Sequence, residues 1–207
     1  MNDQTTTIQR FLDATAARQP TPGGGAVTAL CGALASAIGE MVINYSLGRK
    51  DAAAFDGELR PALQNLHKAR GLLLELMVED QSAYTALSAA RKLPAGPERD
   101  AQLAPALLAC IRAPEAMGAA AVAVLKTCDQ IINFVNFHLL SDLAVCSDLA
   151  MATTRCAIYN IRVNLSEVTV PAERQRIESS MGQLLSHAAG LIQKISPRIW
   201  ARHAQGA

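Results

Sequence analysis

The chain has 207 residues, half of them hydrophobic and only 4% aromatic. Its 19 Lys and Arg against 18 Asp and Glu leave a formal net charge of +1, with no dense basic block, so a nucleic-acid footprint is not expected. The length suits one domain over residues 1–207, and an alanine-rich, aromatic-poor composition favours closely packed helices over a sheet sandwich. Met1-Asn2-Asp3-Gln4 lacks the basic-then-apolar order of a signal peptide.

The apolar pattern is helical nearly throughout. A first helix is expected from about Thr7 to Arg18, with Ile8, Phe11, Leu12 and Ala16 on one face. The run Arg18-Gln19-Pro20-Thr21-Pro22-Gly23-Gly24-Gly25 then interrupts it. Two prolines forbid helix through the turn, and three glycines open conformations closed to other residues or let backbone approach a neighbour or ligand closely. The run is no P-loop, because no Gly-Lys-Ser/Thr follows, and no dinucleotide fingerprint, because no strand precedes it.

A second helix, from about Gly25 to Leu47, is small or apolar all round and uncharged from Gly23 to Gly39. A bilayer span needs about 20 strongly apolar residues, so a central bundle helix is the better reading and no membrane partner is expected. A turn is predicted in Gly48 to Gly57. The third helix runs from about Leu59 to Leu93, with Pro61 in its first turn and a loop at Lys92-Leu93-Pro94-Ala95-Gly96-Pro97. A fourth starts near Glu98, is broken or kinked at Pro114 and resumes to about Lys126. Further helices are expected over about Asp129 to Phe137, from Ser141-Asp142 to Leu165, and from Pro171 to about Ala204 with a kink at Pro197. The predicted fold is all-α, an antiparallel bundle of six or more helices.

One residue of the third helix is out of place. Leu73, Leu76, Met77, Ala83, Tyr84 and Leu87 share one face, and Asp80 falls in its middle, while Glu75 and Glu79 lie on a more polar side. Burying an unpaired carboxylate costs several kcal/mol or raises its pKa. Such a group can act as general acid or base near neutral pH. The alternative is an Asp bonded to a neighbouring helix or open to water at a mouth of the bundle. Ser141 reads as an N-cap with Asp142 in the first turn behind it. Asn160 and Asn164 are one turn apart and want partners, either on another helix or on a bound heterocycle.

Cys31, Cys110, Cys128, Cys146 and Cys156 form no C-x-x-C pair and read as reduced thiols of a cytoplasmic protein. His67, His138, His187 and His203 show no metal-ligand spacing, so no metal is expected.

Together these residues resemble the cyclodeaminase/cyclohydrolase family of folate enzymes. That family includes the C-terminal domain of formiminotransferase-cyclodeaminase and stand-alone methenyltetrahydrofolate cyclohydrolases. The resemblance rests on Phe11-Leu12 ahead of Pro20-Thr21-Pro22-Gly23-Gly24-Gly25, on Asp80 with Ala83-Tyr84, and on Leu93-Pro94 and Ala113-Pro114. It closes with Asn136, Ser141-Asp142 and Asn160-Ile161-Arg162-Val163-Asn164. It implies a homodimer with a tetrahydrofolate derivative as substrate and no bound cofactor. Asp80 is implied as the catalytic residue, with Gly23, Gly24, Gly25, Tyr84, Asn136, His138, Ser141, Asp142, Asn160 and Asn164 as substrate-binding positions. The glycine amides would meet a polar or anionic part of the folate. Val135 replaces the family's usual Gly, His138 stands where the motif often has a second Asn, and the loop after Pro94 lacks its lysine and acidic residues. His138 is either a titrating group or a surface histidine.

Two reactions fit the resemblance. One hydrolyses 5,10-methenyltetrahydrofolate to 10-formyltetrahydrofolate, with Asp80 taking a proton from water. The other is cyclodeamination of formiminotetrahydrofolate, with ammonia leaving. A non-catalytic folate-binding or scaffold dimer is the alternative from another class.

Overall fold

The computed structural model describes residues 6–49 and 53–205. Among these the structure is entirely helical: α1 (Ile8–Ala16), α2 (Gly24–Asn44), α3 (Asp56–Arg91), α4 (Pro97–Ile131), α5 (Leu140–Leu165) and α6 (Pro171–Gln205), with short 3-10 turns at Ala53–Phe55 and Phe137–Leu139.

The apolar, small-residue α2 lies at the centre. A Cβ on Gly32 would sit 3.0 Å from Leu73 of α3 and from Thr153 of α5. One on Gly39 would sit 2.9 Å from Leu66 of α3 and 3.0 Å from Cys146 of α5. Partner numbers fall as α2 numbers rise, so α3 and α5 both run antiparallel to α2. The pairs Cys110–Asn164 and Cys128–Cys146 set α4 antiparallel to α5. Glycines in α2 therefore serve close helix approach. Valine at Gly39 is expected to destabilise the fold by about 1–3 kcal/mol through overpacking. Alanine at exposed Gly71, with no neighbour within 4 Å, is expected to stabilise α3 by about 0.5–1 kcal/mol. Urea unfolding midpoints of the two variants should move in opposite directions.

Several local expectations are corrected. Of the break or kink expected at Pro114, the break does not occur: α4 continues through Pro105 and Pro114 to Ile131, and the expected helix over Asp129 to Phe137 is instead the end of α4, a turn and a 3-10 turn. A proline forfeits one helical hydrogen bond, at about 3 kcal/mol. Here Ala113, Pro114 and Met117 are buried, and that packing offsets the loss. The helix α6 keeps its expected span, Pro171–Gln205, with Pro197 inside it. The helix α3 begins at Asp56, so Pro61 lies inside it. The carbonyl its ring opposes belongs to exposed Gly57, where water can reach it. Ser141 caps nothing: α5 begins at Leu140, while Asp142 does occupy its first turn. In α1, Thr7 is the N-cap and only Phe11 is buried, whereas Ile8 and Leu12 are exposed.

The helices α2 and α4 are long and apolar enough to cross a bilayer by length and composition. More than half of each such window is buried within the bundle, 56% and 61%. At the far end, Arg198 and Lys194 of α6 pair with Asp129. Arg202 donates to the carbonyl of Ile132, the C-cap of α4, and to that of Val135 in the turn beyond it.

Candidate active site

The prolines Pro20 and Pro22 hold residues 17–22 out of helix, and Gly23 is the N-cap of α2, with no side chain accepting from the helix's first N–H groups. Neither Gly23 nor its two neighbours has a positive φ; among the described residues only Gly48 and Gly96 do. The glycines are thus explained by space. A Cβ on Gly25 would fall 2.1–2.2 Å from the carboxyl atoms of Asp80, and one on Gly24 would fall 3.2 Å from Asn160 Oδ1. The chain bends there so that α3 and α5 can press polar side chains onto the bare start of α2.

The helix α3 delivers Asp80 as its apolar face predicts. Leu73, Leu76, Met77, Ala83 and Leu87 are buried around it, and Glu75 and Glu79 point outward. The carboxylate is half-buried, and no hydrogen-bond donor or cation among the described residues pairs with it. Burial raises its pKa above the ordinary aspartate value of 3.8. Asp80 is thus neither bonded to a neighbouring helix nor paired. Tyr84, one turn on, is 42% exposed.

The helix α5 completes the cluster. Asn160 Nδ2 donates to Thr28 Oγ1 at 3.1 Å and to the Cys156 carbonyl at 3.0 Å. Thr28 Oγ1 donates to the Gly24 carbonyl at 2.7 Å. Asn164 Nδ2 reaches only backbone carbonyls, those of Asn160 at 3.1 Å and Cys110 at 3.5 Å. Asn164 therefore follows the helix-partner reading. Cys110 is buried on α4, and burial, then the nearby charge of Asp80, push its thiol up to about 11. It is no nucleophile near neutral pH.

The remaining positions lie elsewhere. Asn136 N–H donates to Ser46 Oγ at 2.8 Å, and Ser46 follows the C-terminal end of α2. Asn136 Oδ1 accepts from His138 N–H at 3.1 Å. The 21 residues of α2 span about 30 Å. Asn136, His138, Ser141 and Asp142 are therefore at the opposite end of the bundle from Asp80 within one chain. His138 is exposed, with its ring edge-on to Phe137.

A cleft of about 890 Å³ lies between α1, Thr21-Pro22 and the α3 residues Val78, Gln81, Ser82, Thr85, Ala86 and Ala89. Asp80 does not line it, because these residues occupy the other side of α3. Size alone points to that cleft; chemistry points to Asp80, where a carboxylate is held without a counter-charge.

The family model describing formiminotransferase-cyclodeaminase matches residues 7–183. The chain belongs to the formiminotransferase-cyclodeaminase family. Methenyltetrahydrofolate cyclohydrolase of Methylorubrum extorquens is 28% identical, over 91% of this chain and 93% of that protein. Formimidoyltransferase-cyclodeaminase of Sus scrofa is 25% identical over 95% of this chain, which spans only 37% of that longer protein. In structure, formiminotetrahydrofolate cyclodeaminase of Thermotoga maritima superposes with a TM-score of 0.90 at 25% identity, over 96% of this chain and 98% of that one. The family resemblance and the all-helical bundle read from the sequence are both upheld.

Thr28 escaped the sequence reading. It is the only hydroxyl between Gly23 and Ala35, and that was the available signal.

Proposed function

We propose that this protein is a folate one-carbon enzyme that hydrolyses 5,10-methenyltetrahydrofolate to 10-formyltetrahydrofolate, with Asp80 as general base. The observation that carries the reading is the unpaired, half-buried carboxylate of Asp80 seated against Gly25. An ionised carboxylate without a counter-charge favours a cationic ligand, and the N5–C–N10 bridge of the methenyl compound is a cation. Water adds to the bridge carbon, Asp80 accepts the proton water gives up, and the tetrahedral adduct opens at the N5–carbon bond. The net change is addition of one water and release of one proton. Because the Asp80 carboxyl of α3 sits against the first turn of α2, an anionic part of the substrate would be repelled there.

The Methylorubrum extorquens cyclohydrolase supports this choice, since it matches along 93% of its length. The Thermotoga maritima structure favours a second reading, cyclodeamination, because its bundle is matched over 98% of its length. There Asp80 would donate a proton to the departing nitrogen. Two assays separate the readings: loss of the methenyl absorbance above the spontaneous rate, and ammonia release from 5-formiminotetrahydrofolate. The proposal expects acceleration in the first and none in the second. The reverse pattern would assign the cyclodeaminase, and inactivity in both would leave a binding or scaffold protein.

We also propose a homodimer in the cytoplasm. In support, α2 exposes Val27 and Leu34, its C-cap Tyr45 is exposed, and the adjacent α5 exposes Val145, Tyr159 and Val163, which is 71% exposed. A second copy laid antiparallel along these helices would bring its Asn136 end beside the first copy's Asp80 end. That would explain how site residues about 30 Å apart in one chain share one ligand. Leu34→Glu is expected to halve the mass measured by light scattering; an unchanged mass would place the contact elsewhere. The five unbridged thiols support a reducing compartment.

A further inference from the structure

We propose that Thr28 is a positioning residue that fixes Asn160 as a hydrogen-bond acceptor, so that the site selects a ligand presenting an N–H donor to it. The inference rests on the folate reading above, whose pterin ring carries such donors.

Thr28 is 3% exposed, and its hydroxyl has one proton, which the acceptor-only Gly24 carbonyl takes at 2.7 Å. Toward Asn160 the hydroxyl can only accept. The Cys156 carbonyl, 3.0 Å from the same amide group, can also only accept. Both facts require the Asn160 NH₂ to face inward, with one proton for Thr28 and one for Cys156. The carbonyl Oδ1 is left pointing at the start of α2, 3.2 Å from where a Gly24 Cβ would lie, and no donor among the described residues reaches it. An amide flip would place the one amide oxygen against two acceptors. The orientation is set by Thr28 together with the Cys156 carbonyl, and of the two Thr28 is the side chain that ties Asn160 to α2.

At this turn Asn160 Oδ1 lies against Gly24 and the Asp80 carboxyl against Gly25. Both are acceptors, so the turn reads a ligand edge of N–H donors next to positive charge. A site whose polar groups are committed to one pattern rejects ligands lacking it strongly, because the unmatched groups lose their partners.

The test uses the dissociation constant of 5,10-methenyltetrahydrofolate, measured by quenching of protein fluorescence, together with KM and kcat. Thr28→Val keeps the side-chain shape but removes the hydroxyl; Thr28→Ser keeps the hydroxyl. Thr28→Val is expected to raise Kd and KM about tenfold with kcat changed less than threefold, the size of one lost hydrogen bond. Thr28→Ser is expected to behave as wild type. Asn160→Ala should weaken binding similarly, and Thr28→Val added to it should cost nothing more, because Thr28 acts through Asn160. Additive losses, or a Thr28→Val variant that binds as wild type, would overturn the inference and leave the folate reading standing. A wild type that neither binds nor turns over the folate would remove both. If Thr28→Val does not fold, Asn160→Ala alone decides: an unchanged Kd contradicts the inference.

Discussion

Gly25→Ala is expected to lower kcat about 100-fold while the protein stays folded. The added Cβ would lie 2.1–2.2 Å from the Asp80 carboxyl, a distance no real pair of atoms tolerates. What it meets is the end of one side chain and not a backbone, so the carboxyl moves and the helices do not. Displacing a reacting group by about 1 Å can cost on the order of 10²-fold in rate. The stability side runs the other way. Alanine is a better helix former than glycine by about 1 kcal/mol, so α2 is not weakened. Steady-state kinetics beside a thermal melt checks this: kcat should fall and Tm should hold. A Gly25→Ala enzyme with full turnover would mean that the position of the Asp80 carboxyl is irrelevant to the reaction.

Asp80→Asn is expected to remove activity by about 10²- to 10⁴-fold, the usual contribution of a general acid or base. It should also leave the fold as stable as wild type at pH 7, or more so. Burial holds the Asp80 pKa above its unfolded value. A carboxyl raised in this way stabilises the fold fully below the unfolded pKa, and that contribution is lost as pH rises through the folded pKa. At neutral pH the ionised group is therefore a burden on stability. Asparagine removes it and flattens that part of the stability profile above pH 4, the ordinary carboxylate range being about 3.9. Loss of turnover together with unchanged or higher Tm distinguishes a working carboxylate from a structural one. The same direction predicts that the acid limb of kcat/KM inflects above the ordinary aspartate value of 3.8. The limb rises with pH for hydrolysis, because the base must be ionised.

Much of this was legible in the sequence, and the reasons are physical. The helix periods are local properties, so the bundle and the apolar face of α3 could be read directly. Asp80 could be picked out because a carboxylate among Leu73, Leu76 and Leu87 violates that period. Pro114 misled because a proline's local cost is set against buried contacts that only the folded bundle supplies. Ser141 misled because the chain enters α5 through a 3-10 turn, which shifts the helix start to Leu140. The separation of Asn136 and His138 from Asp80 was hidden. Spacing along a chain does not state at which end of a 30 Å helix a loop will sit. The glycine run was recognised as special, but its reason is the approach of Asp80 and Asn160, and that is a tertiary fact. Thr28 looked like one more small residue in an apolar helix until its partner on α5 was known.

The most direct test of the account follows the decay of the 5,10-methenyltetrahydrofolate absorbance with wild-type protein and with Asp80→Asn, each corrected for spontaneous hydrolysis. The account predicts acceleration by the wild type and at least a 100-fold smaller rate constant for a folded Asp80→Asn variant. Equal rates for the two proteins would contradict it and would remove Asp80 from the chemistry.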